Sequence, residues 1–298
     1  MASLASLEGK LCVITGATSG IGLETAERLA ALGARLVLVG RDREKGAAAL
    51  ARLAQYPAAA LAQMLYADLS QLDEIRRIAA EIAQAAPRID VLINNAGAIF
   101  ARRTVTADGF ERTFALNHLA YFLLAALLRP RLAAGGRIVN VASEAHRGAT
   151  LDFDDLQTAQ RYSGWTAYRR SKLCNILFTR ALARRLAGSG ITANCLHPGF
   201  VATRFGDNNS GVFRFALSLA KRCTAIAPRQ GAETSVYLAA APEAAEFSGL
   251  YFDKCQPREP SATAQDDIVA ERLWQVSAAL VGLLSQDGEL PSSRQAPI

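Results

Sequence analysis

Apolar positions along the chain follow two periods. Short runs in which nearly every residue is apolar, many of them β-branched, alternate with longer stretches in which apolar residues recur every three or four positions. The first kind reads as strands buried on both faces, the second as helices that cover them. Strands are expected at 11–15, 35–39, 64–70, 89–93, 136–142, 191–196 and 249–252. Helices are expected at 23–32, 43–53, 71–85, 110–132, 166–186, 229–241 and 266–284. This alternation predicts an α/β fold: one doubly wound parallel sheet of about seven strands with helices on both faces, formed by residues 1–298 as a single domain. No internal repeat or linker divides it. The segment 205–228 is the least regular. Its apolar members (Val212, Phe213, Phe215, Leu217, Leu219) suit an amphipathic lid over an apolar pocket, or equally a helix that packs down. The polar tail at 285–298, with Pro291 and Pro297, is expected to be mobile.

The strand ends carry the chemistry. The first strand runs through Gly16-Ala17-Thr18-Ser19-Gly20-Ile21-Gly22 into a helix. Glycines there permit a tight turn and close approach of backbone to a pyrophosphate, and the helix N-terminus favours its charge. The spacing is Gly-x-x-x-Gly-x-Gly; Gly16, Thr18, Ser19, Gly20, Ile21 and Gly22 are cofactor-binding candidates. The second strand ends in Gly40-Arg41-Asp42, with no acid at the first position past it. An arginine can hold a 2′-phosphate in charge-assisted bonds, so Arg41 points to NADP(H), with NAD(H) the alternative. Asp42 reads as the N-cap of the next helix. Asp68 is either an acceptor for an adenine amino group or an extension of an N-cap. Asn94-Asn95-Ala96-Gly97 places small residues where a flat ligand packs against backbone. Asn117 interrupts an apolar helix, which is unfavourable unless its amide has partners.

Ser143 ends the fifth strand, and the helix at 166–186 carries Tyr168 and Lys172 four apart on one face. A neighbouring ammonium favours a phenolate, so Lys172 is expected to lower the Tyr168 pKa and fit it for acid–base work near neutral pH. Ser143 would hold a carbonyl or alcohol oxygen. Alone, Tyr168 and Lys172 are better read as part of an exposed basic face with Arg169 and Arg170. Their company in the chain decides for chemistry.

Charge and cysteines narrow the setting. The net charge of +6 comes from 28 Arg and only five Lys against 27 acids. The arginines are scattered rather than clustered with aromatics, so no nucleic-acid partner is expected. The five cysteines include no Cys-x-x-Cys pair, which predicts neither a disulfide framework nor a metal site, and fits a reducing cytoplasm. No signal peptide is visible at the start and no run is long enough to span a bilayer.

The ordered set Thr15-Gly-Ala-Thr-Ser-Gly-Ile-Gly22, Asp68-Leu69, Asn94-Asn-Ala-Gly97, Asn117, Ser143, Tyr168-x-x-x-Lys172 and Pro198-Gly199 resembles the short-chain dehydrogenase/reductase family from about residue 9 to 284. Finer likeness goes to the retinol dehydrogenase-like group, through Gly40-Arg-Asp-Arg-Glu-Lys-Gly46, Ala145-His146, Leu151-Asp-Phe-Asp-Asp-Leu-Gln157 and Gly249-Leu-Tyr-Phe-Asp253. The resemblance implies a Rossmann-type fold and a catalytic set of Asn117, Ser143, Tyr168 and Lys172. It adds Leu69, Asn95, Ala96, Gly97, Pro198, Gly199, Val201 and Thr203 to the cofactor site, with Tyr168 and Lys172 touching the cofactor too. It implies that Asn117 anchors a water relaying protons to Lys172. It also implies hydride transfer on an apolar carbonyl or alcohol, NADP use, and a homodimer or homotetramer. Many vertebrate members have an N-terminal membrane anchor; none is visible here, which predicts a soluble relative. His146, Phe200, Phe205 and Phe213 are the substrate-side candidates by position. The alternatives are an NAD-linked alcohol dehydrogenase and a non-catalytic NADP-binding redox sensor.

Overall fold

The computed structural model describes residues 3–199 and 227–283. Its frame is one eight-stranded sheet. The strands are β1 (Leu11–Thr15), β2 (Arg35–Gly40), β3 (Gln63–Tyr66), β4 (Ile89–Asn94), β5 (Leu132–Val141), β6 (Thr192–His197), β7 (Tyr251–Asp253) and β8 (Gln256–Arg258). They lie in the order β3-β2-β1-β4-β5-β6-β7-β8. All neighbours pair parallel except β7 and β8. The eighth strand was not expected. It is Gln256 and Arg258 on either side of Pro257, and a proline is tolerated only because this strand is the sheet's edge.

Alternate residues of the parallel strands feed two cores. Val13, Val37 and Val39 face one, with α3 (Leu72–Ala85), α5 (Ala120–Leu128), α6 (Gly164–Arg185) and α8 (Asp267–Leu280). Cys12, Ile14, Leu36 and Leu38 face the other, with α1 (Gly20–Ala31), α2 (Arg43–Leu53) and α7 (Glu233–Ala240). Burial on both faces is why the strands read as continuous apolar runs.

Expected boundaries shift where local chemistry intervenes. The helix expected at 110–132 is instead α4 (Arg112–Phe114), a π-helical turn (Ala115–Leu119), α5 and a 3₁₀ turn at Pro130. The helix expected at 229–241 is a short turn (Pro228–Gly231) followed by α7. The expected lid at 205–228, apart from its last two residues, and the tail at 285–298 lie outside the described residues.

The sheet reverses its winding between β1 and β4, since β2 and β3 lie on one side of β1 and β5 to β8 beyond β4. A crevice forms beyond the carboxyl ends of strands at such a point. The glycine turn, Asn94–Gly97, Ser143 and His197–Gly199 all follow strands at that edge.

Candidate active site

The glycine turn after β1 is held by side chains from the end of β4. Thr15 Oγ1 accepts the N–H groups of Asn95 (2.9 Å) and Ala96 (3.0 Å). The Asn95 side-chain amide donates to the carbonyls of Thr15 (2.9 Å) and Gly16 (3.3 Å). Gly16 is left-handed at φ +67°, and a Cβ there would lie 2.8 Å from Ala96 Cα. A Cβ on Gly22 would lie 2.4 Å from the Gly16 carbonyl oxygen. Only glycine fits at both positions. Ser19, at the N-cap of α1, makes no side-chain capping bond, and the first turn of α1 holds no acid. Its N–H groups therefore face the crevice without an internal anion, which fits a pyrophosphate.

At the end of β2, a Cβ on Gly40 would meet Thr18 Cγ2 at 2.3 Å, so the turn closes onto the strand. Arg41 is exposed, and the Arg43 guanidinium lies 4.6 Å from the Tyr66 ring centroid. Asp42 caps α2, accepting from the Lys45 N–H at 3.1 Å and pairing with its ammonium at 2.5 Å. The carboxylate nearest the strand end is thus committed to its own helix. Asp68 accepts from Ser70 N–H (3.0 Å) and Oγ (2.7 Å) and pairs with Arg112 at 3.3 Å. Burial pushes this carboxyl up, but the Ser70 bonds and the Arg112 and Arg41 charges hold it below the usual range. Leu69 turns its side chain into the core.

On the other side of the crevice, Tyr168 and Lys172 lie buried on α6. The Lys172 ammonium donates to the Val141 carbonyl at 2.8 Å, and Nζ is 5.7 Å from the Tyr168 ring centroid. Burial pulls its pKa down from 10.5 to about 7. A Cβ on Gly97 would lie 3.5 Å from that nitrogen, so the strand-end loop after β4 passes beside Lys172. The Tyr168 phenol hydrogen-bonds Ser143, yet burial pushes it up to about 12, with the Ser143 bond only partly offsetting the rise. The expected lowering by Lys172 is therefore corrected. Lys172 is itself desolvated and spends a proton on Val141, so burial outweighs its field at the phenol.

Asn117 sits in the π-helical turn, fully buried. Its Oδ1 accepts from Ala98 N–H (2.9 Å), and its Nδ2 donates to the Ala98 carbonyl (2.9 Å) and Ser171 Oγ (3.0 Å). The amide thus clamps the strand-end loop to α6, and these partners explain an Asn in an apolar helix.

His146 requires a correction as a substrate-side residue. It is fully buried; Nδ1 bonds the Ser143 carbonyl (2.7 Å), and Nε2 accepts from Ser261 N–H (3.0 Å). Both ring nitrogens are engaged, so it cannot line a pocket. Pro198 and Gly199, the latter at φ +83°, follow β6 at the crevice edge. Phe200, Val201, Thr203, Phe205 and Phe213 lie outside the described residues.

Sequence reading missed two contributors. Thr15, the hinge of the glycine turn, looked like an ordinary last residue of a strand. Trp165 is about half exposed and stacks on Tyr168 with centroids 5.9 Å apart. Its place three residues before Tyr168, on the same helix face, is the signal that marks it.

These strand-end residues can bind a dinucleotide and present a protonated phenol and a hydroxyl to one oxygen. Residues 10–211 match the short chain dehydrogenase family model. The chain is 41% identical to human "Retinol dehydrogenase 13", covering 99% of this chain and 90% of that one. It is also 41% identical to mouse "Retinol dehydrogenase 14", covering 93% and 87%. An uncharacterized protein from Mycobacterium paratuberculosis superposes with a TM-score of 0.77 at 35% identity, covering 94% and 96% of the two chains. A short chain dehydrogenase from Burkholderia cenocepacia in complex with NADP superposes with a TM-score of 0.65 at 28% identity, covering 84% and 98%. With a family model spanning most of its length and relatives this similar over nearly all of it, the chain belongs to the short-chain dehydrogenase/reductase family and is retinol dehydrogenase-like within it.

Proposed function

We propose that this oxidoreductase prefers NADP(H) and interconverts an apolar aldehyde or ketone with its alcohol, working as a carbonyl reductase. The observation that carries the reading is the hydrogen bond from Ser143 to the buried Tyr168 phenol, beside Lys172. A phenol held near pKa 12 is fully protonated at neutral pH, so it is set to give a proton to a carbonyl oxygen. Ser143 donates to the same oxygen and orients it. Lys172, poised near 7 beside Gly97, is placed to return a proton to the phenol side of the crevice. A bound nicotinamide dinucleotide would supply the hydride.

Three further observations support the details. Arg41 and Arg43 at the β2 end, with Asp42 committed to its cap, favour a 2′-phosphate over a 2′-hydroxyl. The half-exposed Trp165 beside Tyr168 supports a lipophilic substrate. The unpaired cysteines Cys12, Cys174, Cys195 and Cys255 support a cytoplasmic setting.

The test is NADPH and NADH consumption with apolar aldehydes, retinal, ketosteroids and small quinones. The reading expects turnover with NADPH on at least one apolar carbonyl, abolished in Tyr168→Phe. Faster turnover with NADH overturns the cofactor assignment. Cofactor binding with no turnover throughout the panel favours the redox-sensor alternative.

A further inference from the structure

The turn carrying Ser143 is pinned by two histidines outside the catalytic set. Ser143 caps a 3₁₀ turn, Glu144–His146, its Oγ accepting from Ala145 N–H at 3.2 Å. The His146 ring lies under this turn, edge-on to Tyr251 at 5.1 Å between centroids. Its Nε2 accepts the Ser261 N–H, so the lone pair is on Nε2 and the ring proton on Nδ1, which donates to the Ser143 carbonyl. His197, at the end of β6, takes the opposite tautomer. Its Nδ1 accepts the Glu144 N–H at 3.2 Å, so its proton is on Nε2. A protonated imidazole has no lone pair for either backbone donor, so both contacts require uncharged rings.

The surroundings reinforce the arrangement. Tyr251 donates to the Glu144 carboxylate at 2.8 Å. Arg147 pairs with Glu144 and donates to the Glu259 carbonyl at 2.8 Å. The turn is thereby fixed to β6, to β7 and to the segment after β8. The Ser143 hydroxyl, which bonds Tyr168, hangs from this turn.

We propose that His146 and His197 are positioning residues for Ser143, each holding the turn at 143–146 in one fixed, neutral tautomer. The proposal rests on Ser143 acting on the substrate oxygen as described above. An imidazole at 146 is the one side chain that offers a donor to Ser143 and an acceptor to Ser261 from a single rigid ring. His146, fully buried with both ring nitrogens engaged, acts only through the turn.

Two measurements test it. The chain has three histidines, so ¹⁵N-labelled imidazole signals can be assigned by single substitutions. At neutral pH, His146 is expected to be uncharged with its proton on Nδ1, and His197 uncharged with its proton on Nε2. Either ring charged, or in the other tautomer, overturns the proposal without reference to turnover. Kinetics then separate positioning from mere packing. His146→Asn keeps a donor toward the Ser143 carbonyl, and His197→Asn keeps an acceptor for Glu144 N–H; both are expected to stay near wild-type kcat. His146→Leu and His197→Leu are expected to lose roughly ten- to a hundredfold in kcat, the range a small misplacement costs. KM for NADPH should hold within about twofold, since the cofactor cradle is untouched. Leucine variants with wild-type kcat, or asparagine variants as slow as leucine ones at equal Tm, overturn it. A wild type that reduces no carbonyl defeats the carbonyl-reductase reading, while the tautomer spectra still decide the turn.

Discussion

At the scale of single residues, burial dominates the site's electrostatics. Tyr168 and Lys172 move in opposite directions for one reason: desolvation opposes whichever form is charged, the phenolate in one and the ammonium in the other. Tyr168 is thereby kept as an acid, and Tyr168→Phe is expected to cut kcat by about 10²–10⁴-fold, measured at saturating NADPH and carbonyl. Lys172 leaves a mark on stability. Between pH 7 and 10.5 the unfolded chain holds a proton that the folded chain has released, so stability rises with pH through that window. Below about pH 7 both states hold it, and the full cost of burying the charge is present. Lys172→Met should therefore stabilise the fold over wild type most below pH 7, by on the order of a few kcal/mol in unfolding free energy, with the gap closing toward pH 10.5. A gap that widens with pH would refute the burial account.

Among the elements, the glycine turn and α6 divide the work of binding and chemistry. The turn is tight because Gly16, Gly22 and Gly40 each face a neighbour that a methyl would strike. Gly22→Ala is expected to cost about 1–3 kcal/mol through that overlap, read as weaker NADPH binding by titration and a lower apoprotein Tm. Asp42→Ala should cost about 1 kcal/mol from the lost α2 cap, with kcat unchanged. Asn117 and Asn95 act between elements: one ties the β4 loop to α6, the other ties it to the glycine turn. Asn117 was legible as a polar residue in an apolar helix, and Asn95 as part of a strand end of small residues. Their partners were not, because those lie 19 to 80 residues away in sequence.

Over the molecule as a whole, the sheet order brings the glycine turn, Asn94–Gly97, Ser143 and Pro198–Gly199 to one crevice, with Tyr168 and Lys172 beside it. Binding there stabilises the folded state by mass action, about 2.7 kcal/mol at a cofactor concentration 100 times Kd. At equal concentrations NADPH is expected to raise Tm more than NADH in the wild type, and Arg41→Ala should shrink that difference. An unchanged difference would move the 2′-phosphate contact elsewhere, Arg43 being the next candidate.

The sequence by itself determined the alternation of strands and helices, the glycine turn, and the placing of Ser143 past the fifth strand and of Tyr168 and Lys172 on one helix face. Those follow from local rules: periodicity, the conformational freedom of glycine, and the spacing of side chains along a helix. Only the tertiary structure decided the rest. It broke the helix at 110–132 with a π-turn where Asn117 must reach Ala98 and Ser171. It moved His146 from a pocket wall to a buried clamp, and it reversed the expected direction of the Tyr168 pKa shift. Burial and long-range hydrogen bonds depend on which distant segments meet, and no local pattern encodes that.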